Sequence, residues 1–236
     1  MSLLTIVRNA MGLCRQDRPT VVFSSTDPTV KDFLAISQEA GDAEKDYDAW
    51  RKLKVMTGTF TGDGTTTVFD LPSDFDYMMQ GYPIWLTDWL KSPAKRVTDE
   101  QMMAAKVADV WTNTPVWRMY GDAIEFYPAL DSGKEVNFEY RTQNWITSDD
   151  GSVARSEWAA DSDLSLIPDR VITLSIIWRW KYSKGFTYDE DFRNWQIARS
   201  QASFANAARA PIRIGRSVFN TGLGAGVHDD VPPVVP

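Results

Sequence analysis

His228 is the only histidine of the chain and is followed by Asp229 and Asp230, which are residue types of a nucleophile–base relay. Such a relay works only when a rigid shell holds its groups within a fraction of an ångström. His228 stands instead in a stretch rich in proline and glycine, which offers no such shell. Cys14 is the only cysteine. Without a second sulfur it forms no disulfide within the chain and no multi-cysteine zinc site, and at an apolar helix end it reads as a small core residue. Gly222-Leu223-Gly224-Ala225-Gly226 has the look of a dinucleotide loop, but His228-Asp229-Asp230-Val231-Pro232-Pro233 follows it, so it opens no helix. Gly62-Asp63-Gly64 suits a turn better than a phosphate cradle. Acid–base chemistry is left with Asp74 and Asp76, near Trp85 and Trp89. Paired carboxylates beside indole rings would suit a glycoside hydrolase or a carbohydrate-binding module. Leu71-Pro72-Ser73-Asp74-Phe75 reads better as a strand end entering a turn whose Ser and Asp bond the backbone. The ten tryptophans, moreover, are scattered along the chain rather than gathered into a platform. The expectation is a chain with no catalytic residue, no cofactor-binding residue and no metal ligand.

The elements that would position these residues can be read from periodicity. Ser2 can cap a first helix whose Leu3, Ile6, Val7, Ala10 and Met11 recur at helical spacing, ended by Gly12 and residues 15–19. Asp27 at N-cap and Pro28 at the first helical position start a second helix. Its apolar face is Val30, Phe33, Leu34, Ser37, Ala40 and Gly41, running on to Tyr47 and Trp50. Lys31, Asp32, Gln38, Glu39, Asp42, Glu44 and Asp46 are expected on the wet face. From Leu53 the period changes to two. Residues 54–60 and 65–71 read as a hairpin about the turn 61–64, with further strands at 83–86, 116–120, 123–127 and 135–143 and turns at 120–123 and 131–134. Thr98 with Gln101 makes a capping box for a short helix over 102–108. Residues 145–163, rich in Ser, Asp and Gly, read as loop. Helix resumes after Pro168 and runs to Lys184, with Gly185 as its stop. A last helix spans about 188–209, before Pro211.

The fold class expected is therefore α+β: a helical bundle core made of N-terminal and C-terminal helices, an inserted antiparallel β domain, and an extended C-terminal arm. The boundaries are 1–52 and 168–209 for the two helical parts, 53–144 for the β domain, 145–167 for an exposed loop and 210–236 for the arm. A hydrophobic content of 43% suffices for a packed core, and a net charge of −7 argues against a dedicated nucleic-acid binder. Arg8 interrupts any signal-peptide core, and the apolar run 171–180 is too short to span a membrane and contains Arg179. A soluble protein made inside the cell is expected.

Two features suit assembly. The helix from Val171 is apolar nearly all round, through Ile172, Leu174, Ile176, Ile177, Trp178, Trp180 and Tyr182. Its second face is covered either by the β insert or by another subunit, or else the helix is simply a central core helix. Ala198, Ala202, Ala205 and Arg209, with Ala208 alongside, form a small-residue row that permits close helix approach inside or between subunits. Charge is also uneven. Arg193, Arg199, Arg209, Arg213 and Arg216 lie in a stretch without acidic residues, whereas 149–169 holds six acids against Arg155. That separation would steer a basic tail onto an acidic neighbour, or else reflect a solvated face. In the arm, Ile212, Ile214, Val218 and Phe219 alternate through Arg213 and Gly215, as an added strand or groove anchor would. The interface candidates are Val171, Leu174, Trp178, Arg209, Ile212, Arg213, Ile214, Arg216, Val218 and Phe219.

Four stretches together resemble the head-to-tail adaptor (connector or head-completion) proteins of tailed bacteriophages and related gene-transfer particles. The first is the opening helix ending Ala10-Met11-Gly12-Leu13, with the loop to Ser24-Ser25-Thr26-Asp27-Pro28-Thr29-Val30 and the helix ending at Trp50. The second is Phe69-Asp70-Leu71-Pro72-Ser73-Asp74-Phe75-Asp76. The third is Phe138-Glu139-Tyr140 followed by Asn144-Trp145. The fourth is Leu166-Ile167-Pro168-Asp169-Arg170-Val171-Ile172-Thr173-Leu174, continuing with Ile177-Trp178-Arg179-Trp180-Lys181 and on from Gly185 to Tyr188. The resemblance implies a structural virion protein at the head–tail junction, made in the host bacterial cytoplasm. It implies a homo-oligomeric ring, commonly a dodecamer, docked on the portal protein. Tail or tail-nozzle proteins would lie below, and DNA would pass through the channel without sequence-specific binding. It implies no enzyme activity, no cofactor and no membrane partner. The alternative is a β-rich carbohydrate-binding module or glycoside hydrolase of a phage tail.

Overall fold

A computed structural model describes residues 1–48, 50–78, 84–87, 94–108 and 115–208. The chain runs through α1 (Leu3–Leu13), α2 (Pro28–Tyr47) and a single 3-10 turn (Arg51–Leu53) into a β-rich region. That region comprises β1 (Lys54–Thr61), β2 (Val68–Asp70), β3 (Phe75–Met78), β4 (Trp85–Leu86), β5 (Lys95–Arg96), α3 (Asp99–Ala108), β6 (Val116–Tyr120), β7 (Ala123–Tyr127) and β8 (Glu135–Thr142). The short strands β9 (Ile146–Thr147), β10 (Ala154–Arg155) and β11 (Leu164–Ser165) then lead to α4 (Asp169–Ser183) and α5 (Asp189–Ala208).

The helix starts follow local chemistry. The Ser2 hydroxyl accepts from the Thr5 N–H and the Asp27 carboxylate from the Thr29 N–H at 2.7 Å. Thr98 and Gln101 close a reciprocal capping box at α3. Such a cap is worth about 1 kcal/mol. α4 is the central helix, packed against α1, α2 and α5. With neighbours on three sides it needs apolar residues nearly all round, and the covering element is α5 rather than the β insert. Phe33 of α2 stacks on Trp180 of α4 at 5.2 Å. Leu3, Ile6, Val30, Phe33, Leu53, Ile172 and Ile176 belong to this one core.

A second core lies between two small sheets. One has the order β1-β8-β3, with β4 also on β8, and the other β2-β7-β6-β5. All pairings are antiparallel except the two-residue parallel β5–β6 pair. Phe60 of β1 stacks on Phe69 of β2 and on Phe138 of β8, each at 5.5 Å, and so joins the sheets. β6 and β7 form the expected hairpin, closed by Gly121 in the left-handed region at φ 60°.

Three expectations are corrected. Residues 54–60 and 65–71 do not pair with each other: β1 lies on β8, and β2 lies on β7. The turn between them docks on the 130–134 loop, where the Gly62 N–H donates to the Lys134 carbonyl and the Gly133 N–H to the Gly62 carbonyl. A Cβ on Gly62 would meet the Asp131 carbonyl oxygen at 2.4 Å, so only glycine fits this approach.

Residues 145–167 are not simply an exposed loop. β9 pairs with β10 and β11, and Trp145, Ile146, Trp158 and Ile167 enter the helical core. The many Asp and Ser residues there satisfy backbone groups. Asp163 accepts from the Ala159 and Ala160 N–H groups and pairs with Arg155, and Asp161 accepts from Val22 and Phe23. Trp145 lies so close to Gly41 that a Cβ there would fall 1.9 Å from its ring, and its indole donates to Asp42 at 3.0 Å. Glu44, expected in water, is completely buried.

Candidate functional site

The two carboxylates singled out for chemistry are spent on construction. Asp74 accepts from the Tyr140 hydroxyl and the Thr142 hydroxyl, each at 2.8 Å. Asp76 accepts from Nε of Arg141 at 2.7 Å and also from its Nη2. Trp85 is half-exposed on β4, while Trp89 lies outside the described residues. Burial pushes the Cys14 thiol up to about 11, which leaves almost no thiolate at neutral pH. Asp63 is held well below the ordinary carboxylate range, first by the Thr66 N–H and then by the Thr66 hydroxyl and Thr65 N–H of its own turn. His228 and the 222–226 glycines lie outside the described residues. Among the described residues no group of three or more acidic, His or Cys side chains is placed to hold a metal ion. No helix among them is long and apolar enough to cross a membrane.

The buried charge sits elsewhere. Glu44, on α2, accepts from the Trp195 indole at 2.9 Å, and its second oxygen lies 3.2 Å from Nε of Arg199, off hydrogen-bond alignment. Arg199 also covers the Tyr47 ring. Burial raises the Glu44 carboxyl above its ordinary value, outweighing the opposing pull of Arg199 and the Trp195 bond. A second junction is Arg141 on β8. It reaches the Lys45 carbonyl at the end of α2 at 2.7 Å, Asp46 at 2.9 Å and Asp76, and lies over Tyr77. One guanidinium thus ties the β core to the helical core, and the α2 C-terminus favours a cation there. The sequence reading missed both. For Glu44 the signal was available, since Val30, Phe33, Ser37, Ala40 and Glu44 share one helical face.

Of the interface candidates, Val171 is buried inside the subunit and is no surface residue. Leu174 is half-buried against the same core, and Trp178 packs edge-on against Phe192 and beside Trp195 of α5. Intramolecular packing accounts for all three. Arg209, Ile212, Arg213, Ile214, Arg216, Val218 and Phe219 lie outside the described residues. The acidic stretch 149–169 is largely consumed internally. Besides Asp161 and Asp163, Asp150 binds Ser148 and Ser152 of its own turn, and Asp169 holds the N-terminal amine at 2.9 Å. Asp149 and Glu157 stay exposed.

Among the described residues, two concavities offer contact surface. The larger, an open cleft of about 590 Å³, lies where the chain leaves the helical body and returns to it. It is lined by Trp50, Arg51, Lys52, Leu166, Pro168, Ala202, Ala205 and Asn206. A smaller one of about 180 Å³ lies between Phe23, Leu34, Gln38 and Trp158. Ile197 and Phe204 stand exposed on the outer face of α5, and Met103 and Val107 on α3. The cleft and these apolar side chains offer contact surface rather than reactive groups. A protein-family model described as SU10 adaptor protein matches residues 1–225. No curated protein matches the chain.

Proposed function

The chain belongs to the SU10 adaptor protein family, and from that membership we propose that it forms a ring beneath the portal, joins capsid to tail and leaves a channel for DNA. Membership makes it a phage adaptor, a structural component of the virion's head–tail junction, and implies a role without catalysis. The match over residues 1–225 carries the reading. In the proposed arrangement residues 1–52 and 168–209 are the two halves of one body and 53–144 is the insert. The ring is a dodecamer of chains made in the host bacterial cytoplasm, with tail or nozzle proteins below it. The arm from 210 reaches the portal through Ile212, Ile214, Val218 and Phe219, while Arg213 and Arg216 meet acidic portal groups. The channel wall is acidic or neutral, because each phosphate held by Lys or Arg adds affinity that impedes sliding. The carbohydrate alternative loses its carboxylates, since Asp74 and Asp76 are engaged by Tyr140, Thr142 and Arg141.

Light scattering and negative-stain microscopy of the purified chain with its portal test the reading. A ring of density on the tail-facing side of the portal is expected. A subunit that stays monomeric and ignores the portal overturns it.

A further inference from the structure

Residues 209–236 follow the last turn of α5, whose Ala205 and Asn206 form one wall of the large cleft. Its floor is apolar, from Trp50, Leu166, Pro168 and Ala202. The Trp50 indole N–H is already spent on the Glu44 carbonyl at 2.8 Å, so this residue offers the cleft hydrocarbon. The exposed Lys52 places a positive charge on the rim.

The end of the chain has the matching character. Asp229 and Asp230 precede Val231-Pro232-Pro233-Val234-Val235-Pro236. Proline presets an extended backbone, and such segments dock in apolar, aromatic-lined grooves at low ordering cost. The nearer part of the arm, around Arg213 and Arg216, is repelled by the same rim. We infer that residues 228–236 of one copy seat in this cleft of the adjacent copy, with the acid pair on Lys52 and the valines and prolines on the floor. This rests on the ring reading above. Residues 209–228 span up to about 65 Å when extended, against a radius of gyration of about 18 Å for a compact chain of this length. The tether therefore reaches a neighbour, and a head-to-tail exchange of arms closes on itself in a ring.

The test uses full-length chains. Asp229→Lys/Asp230→Lys disables the arm, and Lys52→Glu/Ala205→Glu disables the cleft at exposed positions. A fluorescein-labelled peptide of residues 226–236 should bind the arm-disabled chain by anisotropy, and at least tenfold more weakly once Lys52→Glu is added. Mixing the arm-disabled and cleft-disabled chains should give one-to-one heterodimers in light scattering. Lys52→Glu with Asp229→Lys and Asp230→Lys in one chain should recover self-association. Absence of peptide binding overturns the cleft as receptor, whether or not wild-type rings form on the portal. Peptide binding without heterodimers overturns the exchange, and a wild-type chain that stays monomeric and takes the peptide only once its own arm is disabled means that the segment folds back on its own chain, which overturns it too. Lys52-dependent peptide binding by a chain that forms no ring on the portal overturns the ring reading and, with it, the exchange, while leaving the cleft as receptor.

Discussion

Replacing Arg141 by methionine keeps most of the side-chain length and removes the junction between the two cores. The guanidinium is almost fully buried, and its loss strips donors from the Lys45 carbonyl, Asp46 and Asp76. Asp46 is 62% exposed and regains water, so its share is about 0–1 kcal/mol. Asp76 is only 25% exposed. Removing one partner of a buried charged pair costs about 3–5 kcal/mol, and partial hydration of Asp76 puts this case at the low end. A loss of about 3 kcal/mol lowers the melting temperature of a chain this long by about 6–12 °C. Circular dichroism melts at neutral pH measure it. Asp76→Leu added to Arg141→Met should recover much of the loss, because the orphaned carboxylate goes with it. If Arg141→Met melts within about 2 °C of the wild type, no more than an exposed surface pair is worth, the guanidinium does not hold the two cores together.

Three further outcomes follow from buried groups. The raised Glu44 carboxyl means that the folded state keeps a proton the unfolded chain has lost. From the ordinary value of 4.5 up to the raised folded value, stability therefore falls as pH rises. Glu44→Gln should remove that slope in urea titrations run between about pH 4 and 8, and an unchanged slope assigns it to another group. Gly41→Ala forces a Cβ into the fully buried Trp145 ring and should cost about 1–3 kcal/mol or more in urea midpoint; an undiminished midpoint would mean that Trp145 yields freely. Cys14, with its thiol near 11, should be alkylated by iodoacetamide at pH 8 about two orders of magnitude more slowly than a free cysteine and at the ordinary rate in urea. Rapid labelling of the folded chain would place the thiol in solvent.

What could be read before folding was local. Ser2, Asp27 and the Thr98–Gln101 box cap helices through atoms two or three residues apart, and the β6–β7 hairpin is set by its own Gly121. Pairing between distant strands is not local. The alternation in β1 and β2 would look the same whichever strand lay beside them, and a true turn at Gly62 suggested a hairpin that does not form. The segment 145–167 misled because its composition is polar while its two tryptophans are buried, and Asp161 and Asp163 answer backbone N–H groups rather than water. Glu44 was assigned to solvent by its type, although its helical position faces inward. The over-apolar α4 was legible as a helix with two faces to cover, but only the packing of α5 names the cover. The phage reading came from resemblance across four stretches, and the family match supports it. Periodicity alone cannot name a partner.

Shifted acidities among the described residues sort by access, and this bears on how the carboxylates are used. A working acid or base must be both perturbed and reachable. Glu44 and Cys14 are perturbed by burial, and neither is open to a substrate. For Glu125 burial would raise the carboxyl, but bonds from Lys106 and Arg118 outweigh it and hold it low. Tyr140 is raised first by burial and then by its bond to Asp74. The reachable cases, Asp63 and Asp150, owe their low values to hydroxyls and N–H groups in their own turns, which Asp150 holds at about 2. Where perturbation and access coincide, the turn's own donors hold the carboxylate ionised, which makes it a weak base and no acid near neutral pH. Among the groups with shifted acidity, the reachable carboxylates brace turns and the buried ones join helices and sheets.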